Sequence, residues 1–146
     1  MNASARDTTA TVIPSLRYRN ALAMIDWLCN AFGFEKNAVF AEGDVVQHAQ
    51  LTFGRGMIML GSKDRETPWG KRMAQPDEVD GRVTHGIYVI VADCKAHYAR
   101  AKAAGAEIAD DFATKEYGGS GYSARDPEGY FWSFGDYDPW AAMQAR

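Results

Sequence analysis

The sequence predicts an α+β protein built from two βαβββ modules within one globular domain. Two helical stretches each end at a glycine, Gly33 and Gly105, and strands follow both of them. The phrases around these glycines, Ala-Phe-Gly-Phe-Glu and Ala-Ala-Gly-Ala-Glu, lie about 72 residues apart. This spacing indicates an internal repeat, in which the second half of the chain copies the pattern of the first.

The first module is predicted over residues 12–61. A short strand covers Val12–Tyr18, and Asn20 then caps a helix whose apolar residues recur at helical spacing until Gly33. Gly54-Arg55 is a tight hairpin signal between the last two strands of the module. The three strands that follow the helix are predicted at Lys36–Glu42, Val45–Phe53 and Met57–Gly61.

The second module is predicted over residues 84–137. Its first strand covers His85–Val91, where β-branched and aromatic residues dominate, and Asp93 caps a helix that runs to Ala104. The sequence Asp-Pro-Glu-Gly at 126–129 favours a turn between the last two strands. The three later strands are predicted at Glu107–Phe112, Gly119–Arg125 and Tyr130–Gly135.

Three segments lie outside the modules. Residues 1–11 are predicted to be a flexible N-terminus, and residues 138–146 a tail that holds Trp140 in a short docked helix. The loop over residues 62–83 is rich in charge, Pro and Gly and is longer than most connections in a compact domain. Its Trp69 either pins the loop to the body of the protein or contributes to a lid or a subunit interface.

Composition narrows the class of protein. The chain has 146 residues, 47% of them apolar, and a net charge of −3, which gives no basic surface for nucleic acid. No apolar run is long enough to span a membrane, and the N-terminus has no signal-peptide core. Cys29 and Cys94 both fall in predicted helices, where we expect reduced, partly buried thiols in a cytoplasmic protein.

Hairpin pairing in the first module sorts its side chains onto two faces of a sheet. A turn at Gly54-Arg55 pairs Thr52 with Met57 and Gln50 with Met59, and strand alternation adds His48 to that mixed face. The opposite face is wholly apolar and should pack on a helix, and its members are Ala49, Leu51, Phe53, Ile58 and Leu60. We therefore expect the mixed face to line a cleft.

The predicted turn of the second module pairs Tyr122 with Ser133 and places Phe131 on the same cleft face. Trp132 then belongs to the helix side. A bulge at Gly129 would shift this register by one residue and invert the assignment.

Three stretches carry a resemblance to a known family. They are Leu16-Arg-Tyr-Arg-Asn20 at the start of the first helix, Tyr88-Val-Ile-Val-Ala-Asp93 at the start of the second, and Arg125-Asp-Pro-Glu-Gly-Tyr-Phe-Trp-Ser-Phe-Gly135. Over about residues 12 to 137, the chain resembles the vicinal oxygen chelate superfamily, also called the glyoxalase, bleomycin resistance and dioxygenase superfamily. The resemblance implies two βαβββ modules that form a curved mixed sheet around a cleft, often completed in a homodimer.

The same resemblance locates the metal ligands of metal-using members. Those positions correspond here to Ile13, Met59, Gly86 and Ser133, none of which suits the hard divalent ions of the superfamily. A shift of the alignment by one residue would place His85 at a ligand position, but Ile13, Met59 and Ser133 would remain unsuitable as metal ligands. We therefore expect no metal and no cofactor.

These inferences favour a metal-independent small-molecule-binding protein, similar in mode to bleomycin-resistance proteins, that holds a flat organic ligand. Arg17 shares strand parity with residue 15, and we expect it to anchor an acidic substituent unless it is a surface arginine at a strand end. The other expected ligand-binding residues combine aromatic rings, thioethers and polar groups, and they are Gln50, Met57, Met59, Trp69, Tyr88, Tyr122, Phe131 and Ser133.

The alternative is an enzyme of the same superfamily, a lyase, isomerase or dioxygenase. It would use His48 as a general base, or a metal at an unrecognised site. His48 equally suits a structural role, hydrogen-bonded to a neighbour such as Gln50. His97 is predicted to face solvent from its helix, and Asp126 to serve its turn. A purely structural or interaction module is a third possibility.

Overall fold

The computed structural model describes residues 4–64, 66–116 and 118–144, and in it the chain divides into two compact units, Met1–Gln75 and Pro76–Arg146. Each unit contains one open four-stranded sheet with a helix on one of its faces. No helix in the described ranges has the length and apolar character needed to cross a membrane.

The first unit has the predicted order of elements. Its sheet runs β1-β4-β3-β2, with β1 parallel to β4 and the other pairs antiparallel. The strand predicted from Val12 begins only at Ser15, and a short 3-10 helix covers Gly70–Arg72. The elements are β1 (Ser15–Tyr18), α1 (Ala21–Phe32), β2 (Glu35–Glu42), β3 (Val45–Phe53) and β4 (Gly56–Ser62).

Helix α1 packs on this sheet through one apolar side. Asn20 occupies the N-cap position without a side-chain capping hydrogen bond, whereas Gly33 ends the helix in the left-handed region, with φ of 86°. Each large buried side chain contributes about 1.5–3 kcal/mol through its removal from water. The buried residues are Ala21, Met24, Ile25, Leu28, Ala31 and Phe32.

The second unit repeats this topology. Its sheet runs β5-β8-β7-β6, again with the first strand parallel to the last and the others antiparallel, which confirms the predicted repeat and the α+β fold class. His85 precedes the first strand instead of opening it, and Pro76–Val79 is a 3-10 helix. The elements are β5 (Ile87–Ile90), α2 (Cys94–Ala103), β6 (Glu107–Thr114), β7 (Ser120–Arg125), β8 (Phe131–Gly135) and α3 (Pro139–Gln144).

Helix α2 is capped as expected, but its inward side corrects one prediction. The Asp93 carboxylate accepts a hydrogen bond from the backbone N–H of Ala96 at 3.0 Å. His97, predicted to face solvent, is only 9% exposed, and its ring centroid lies 4.4 Å from that of Phe134. The reason is helical spacing: α2 has few apolar residues, and the side that carries Cys94 and Ala101 also carries His97.

The connection from β7 to β8 differs from the prediction by one residue. Arg125 pairs with Phe131, so Tyr122 lies opposite Phe134 instead of Ser133. The connection has five residues, 126–130, and includes Gly129 at φ of 98°. The extra residue at this bulge moves the β7 residues to the opposite face from the one predicted. Tyr122 consequently belongs to the helix side of the sheet.

Asp126 has the structural role predicted for it. Its buried carboxylate accepts hydrogen bonds from the backbone N–H groups of Glu128 and Tyr130, both at 3.0 Å, and from Trp132 Nε1 at 3.1 Å. One side chain therefore fixes the turn and orients the largest residue of the core.

The C-terminal tail forms the predicted helix, α3. Trp140 nevertheless keeps 68% of its surface exposed, and Met143 is also exposed. The expected docking of Trp140 is therefore not observed.

Candidate ligand-binding site

The open face of the second sheet, opposite α2, carries a recess. Tyr88 on β5 pairs with Ser133 on β8, which pairs in turn with Ser123 on β7, so these three side chains share one face. The two serine hydroxyls lie 3.0 Å apart and hydrogen-bond each other. The recess has a volume of about 320 Å³, and its lining includes Gly86, Tyr88, Lys115, Gly121, Ser123 and Ser133.

Glycines give this face its shape. A Cβ at Gly135 would lie 2.6 Å from the Tyr88 hydroxyl oxygen and 3.0 Å from a ring carbon, so only glycine lets the ring lie across β8. The Tyr88 hydroxyl donates to the carbonyl of Tyr137 at 2.7 Å. The ring is thus held in place while 42% of Tyr88 stays exposed.

Tyr122 does not contribute its ring to this face. Although Tyr122 borders the recess, its side chain is buried on the opposite side of the sheet, and its hydroxyl lies 2.6 Å from His97 Nδ1. Burial raises the pKa of the Tyr122 phenol far above its ordinary value. The predicted pairing of Tyr122 with Ser133 is wrong, because the β7–β8 register shifts by one residue and places the Tyr122 ring on the helix side of the sheet.

The first sheet has its own open face, and here the predicted pairing is confirmed. Gln50 pairs with Met59 and Thr52 with Met57, all of them half-buried. On the opposite face Ala49, Leu51, Ile58 and Leu60 are buried, as predicted. The mixed face therefore lies opposite α1, as the alternation of side chains requires.

Arg17 lies on the same open face of the first sheet. It pairs with Gly61, and a Cβ at Gly61 would lie 2.9 Å from Arg17 Nη1. Nη1 donates to the carbonyl of Ser62 at 3.1 Å, which lays the guanidinium along β4. Arg17 is therefore ordered by backbone contacts on the side where the sequence predicted it.

His48 takes part in a chain of side-chain hydrogen bonds on this face. Its Nε2 lies 2.8 Å from Gln50 Oε1, and Gln50 Nε2 donates to Asn37 Oδ1 at 2.8 Å. Because Gln50 Oε1 can only accept, Nε2 is the donor of this hydrogen bond. The His48 ring also stacks on Phe40, with centroids 6.2 Å apart.

The segment that carries Trp69 is anchored by a residue that sequence reasoning missed. Gln75 is buried, and its Nε2 donates to the carbonyl of Arg17 at 2.8 Å. Trp69, just before the 3-10 helix at Gly70–Arg72, remains 50% exposed. No pattern distinguished Gln75 in a polar loop, because its role depends on a strand 58 positions earlier.

The four positions that correspond to metal ligands do not form a suitable donor set. Gly86 lies two residues before Tyr88, so position 86, and not His85, falls on the same face of the sheet as Tyr88 and Ser133. The Nδ1 atom of His85 lies 3.1 Å from the Thr84 hydroxyl oxygen. Ile13 and Gly86 supply no donor, and Met59 supplies only a thioether. Within the described residues there is no group of three or more His, Cys, Asp or Glu side chains that could hold a metal ion.

The duplicated βαβββ topology and the two open sheet faces define the class of protein. A family model described as the Glyoxalase/Bleomycin resistance protein/Dioxygenase superfamily matches residues 10–134. The chain belongs to this superfamily. A search of curated proteins found no match.

Solved structures share the fold. TioX from Micromonospora sp. ML1 is 30% identical, with a TM-score of 0.69 over 85% of this chain and 95% of TioX. A protein from Agrobacterium tumefaciens str. C58 is 19% identical, with a TM-score of 0.67 over 92% of this chain and 98% of that one. The fosfomycin resistance protein FosX from Mesorhizobium loti is 12% identical, with a TM-score of 0.59 over 92% and 97%.

Proposed function

We propose that this protein is a metal-independent small-molecule-binding protein that holds a flat organic ligand in the recess of its second sheet. The observation that carries the proposal is the recess itself, about 320 Å³ in volume, with the Tyr88 ring and the Ser123–Ser133 hydroxyl pair in its lining. Ligand pockets begin at about this size and combine apolar surface with a few placed polar groups.

The donor set supports binding without a metal. Ser133 stands where metal-using relatives have a ligand, and here its hydroxyl is hydrogen-bonded to Ser123. The superfamily name includes bleomycin resistance, and FosX is named for fosfomycin resistance. A role in holding or sequestering a drug-like molecule fits both the family and this recess.

The first sheet offers a second proposed binding surface. Met57 and Met59 supply polarisable thioethers beside the Gln50 amide, and Arg17 supplies a positive charge. We propose that Trp69 also contacts ligand at this surface, because its indole is half exposed in the same unit. On the open face of the second sheet we propose Phe131 as a further ligand contact, where the Arg125 guanidinium lies 5.5 Å from its ring centroid.

The proposal includes a cytoplasmic homodimer. Superfamily members often complete their clefts as dimers, and Cys29 and Cys94 do not form a disulfide, as suits a reducing compartment. Light scattering coupled to size-exclusion chromatography tests the assembly; a mass of one chain at micromolar concentration would contradict it.

The test of ligand binding is native mass spectrometry of protein purified without chelator or affinity tag. We expect an organic molecule to be retained and metal analysis to find far less than one ion per chain. About one Ni, Zn, Fe or Mn per chain would contradict the metal-independent proposal. Tyr88→Ala should lose the retained molecule, whereas Tyr88→Phe, which keeps the ring, should hold it.

A second candidate function is catalysis with His48 as general base. The hydrogen bond to Gln50 engages Nε2, so Nδ1 is the ring nitrogen that would act as the base. Such an enzyme would be a lyase, isomerase or dioxygenase of the superfamily. His48→Ala that binds the retained molecule normally but no longer converts it would favour this function; no conversion by the unmodified protein would remove it.

A further inference from the structure

Lys115 follows strand β6 and reaches the recess of the second sheet. Its backbone is fixed in a turn, where its N–H donates to Gly119 at 2.8 Å and its carbonyl accepts from Gly118 at 3.1 Å. Its side chain then crosses Gly121, where a Cβ would lie 3.3 Å from Lys115 Cε. The absence of a side chain at Gly121 leaves room for this half-buried lysine to line the recess.

The lining has positive charge without a matching negative one. Lys115 is the one charged residue among the described residues that line the recess, and no Asp or Glu is among them. In the described ranges, no carboxylate forms a salt bridge with Lys115. Asp136 directly follows Gly135 but is not among the lining residues, and its carboxylate accepts two hydrogen bonds from Ser120, at 2.6 and 2.9 Å.

The serine pair adds a further donor. Ser123 and Ser133 share one hydrogen bond at 3.0 Å, and that bond uses one of their two hydroxyl protons. The second proton remains for an acceptor in the recess. An ammonium group and a hydroxyl donor therefore face the same space, beside the exposed ring of Tyr88.

We propose that the recess takes a flat aromatic acid, with Lys115 as the counter-charge of its acidic group, the Ser123–Ser133 pair as a hydrogen-bond donor and Tyr88 against its ring. This inference rests on the proposed function and specifies its ligand class. The recess volume of about 320 Å³ suits a ring system with one small acidic substituent.

The test compares two probes of equal shape, 2-naphthoate and its neutral amide 2-naphthamide. Amide NMR shifts at Gly86, Gly121 and Ser123 report binding in the recess, and titration gives both dissociation constants. We expect naphthoate to bind at least about tenfold more tightly, because a charge-assisted hydrogen bond is lost in the amide. Lys115→Met should abolish this preference by weakening naphthoate alone, and Lys95→Met, an exposed lysine of α2, should preserve it.

Equal affinities for the two probes, or a preference that survives Lys115→Met, would overturn the acid specificity while small-molecule binding stands. Failure of 2-naphthoate to shift the recess amides at millimolar concentration would also overturn it. The proposed function is decided separately, by whether an organic molecule is retained in purified protein and lost in Tyr88→Ala.

Discussion

The ring of Tyr88 lies across Gly135, in space that any other residue at position 135 would occupy. A Cβ there would come within 2.6 Å of the Tyr88 hydroxyl oxygen and 3.0 Å of the carbonyl oxygen of Ser120. The aromatic surface of the recess therefore depends on a glycine in a neighbouring strand.

Gly135→Ala should displace Tyr88 and weaken ligand retention. Overpacking of this kind costs about 1–3 kcal/mol of unfolding free energy, measurable by urea denaturation. Gly86→Ala is the matched control, because a Cβ there meets nothing within 4 Å, and it should leave stability unchanged. In the double variant, Tyr88→Ala should restore part of the unfolding free energy that Gly135→Ala removes. If it restores none, the contact with Tyr88 is not the cause of the destabilisation.

Asp126→Ala should destabilise the second unit by about 3 kcal/mol or more, because three donors lose their acceptor and one of them is the buried Trp132 indole. Asp126→Asn should cost less, since its amide oxygen can still accept from the two backbone groups of the turn. Thermal unfolding of both variants measures the difference. Equal losses would show that the Trp132 bond, and not the turn, carries the stabilisation.

Tyr122 should make the stability of the protein depend on pH in alkaline solution. Burial raises the pKa of this phenol above its ordinary value of 10.0, so in the folded state it keeps its proton where the unfolded chain has lost it. This stability is fully present below about pH 10 and falls as the pH rises, by at most ~1.4 kcal/mol per pH unit. Denaturation from pH 9 to 11.5 should show a steeper fall in the unmodified protein than in Tyr122→Phe.

The same Tyr122→Phe variant tests the partnership with His97. Loss of the hydroxyl removes the hydrogen bond to Nδ1 and should cost about 1–2 kcal/mol at pH 7. A variant as stable as the unmodified protein at pH 7, with the same alkaline slope, would contradict the buried pair.

Gln75→Ala should release the loop segment of the first unit from β1. The lost bond to the Arg17 carbonyl is buried and should cost about 1–3 kcal/mol, with faster amide exchange over residues 66–75. Gln47→Ala is the control, because its bond to Glu42 is exposed, and it should be nearly neutral. Unchanged exchange in Gln75→Ala would mean that other contacts hold the segment.

The sequence predicted the fold and, of the two hairpin registers derived from turn length, the one between β3 and β4. The β3–β4 register follows from a two-residue turn at Gly54-Arg55, whose length leaves one pairing. The β7–β8 turn has the sequence Asp-Pro-Glu-Gly, which fits connections of four or five residues. The left-handed Gly129 selects the longer one, and this choice moves Tyr122 to the other face.

The recess was only partly predictable, because its members depend on contacts between strands. Tyr88 and Ser133 could be expected from strand parity, and the structure pairs them. The sequence did not indicate that Lys115 lines the recess, because a lysine after a strand is ordinarily exposed to solvent. Only the pairing of β6 with β7 brings its side chain across Gly121. His97 was misjudged for a similar reason: a polar helix does not reveal which of its sides is buried.

The duplicated sheets have a consequence for how this protein can change. Met59 and Ser133 occupy corresponding places, each between a first-strand residue and a third-strand residue, yet one is a thioether and the other a hydroxyl. In each sheet the residues that pack on the helix alternate along the strands with those on the open face. Substitutions on the open face therefore leave the core packing unchanged. Ligand preference can therefore diverge between the copies by single substitutions, while the scaffold that both inherited stays the same.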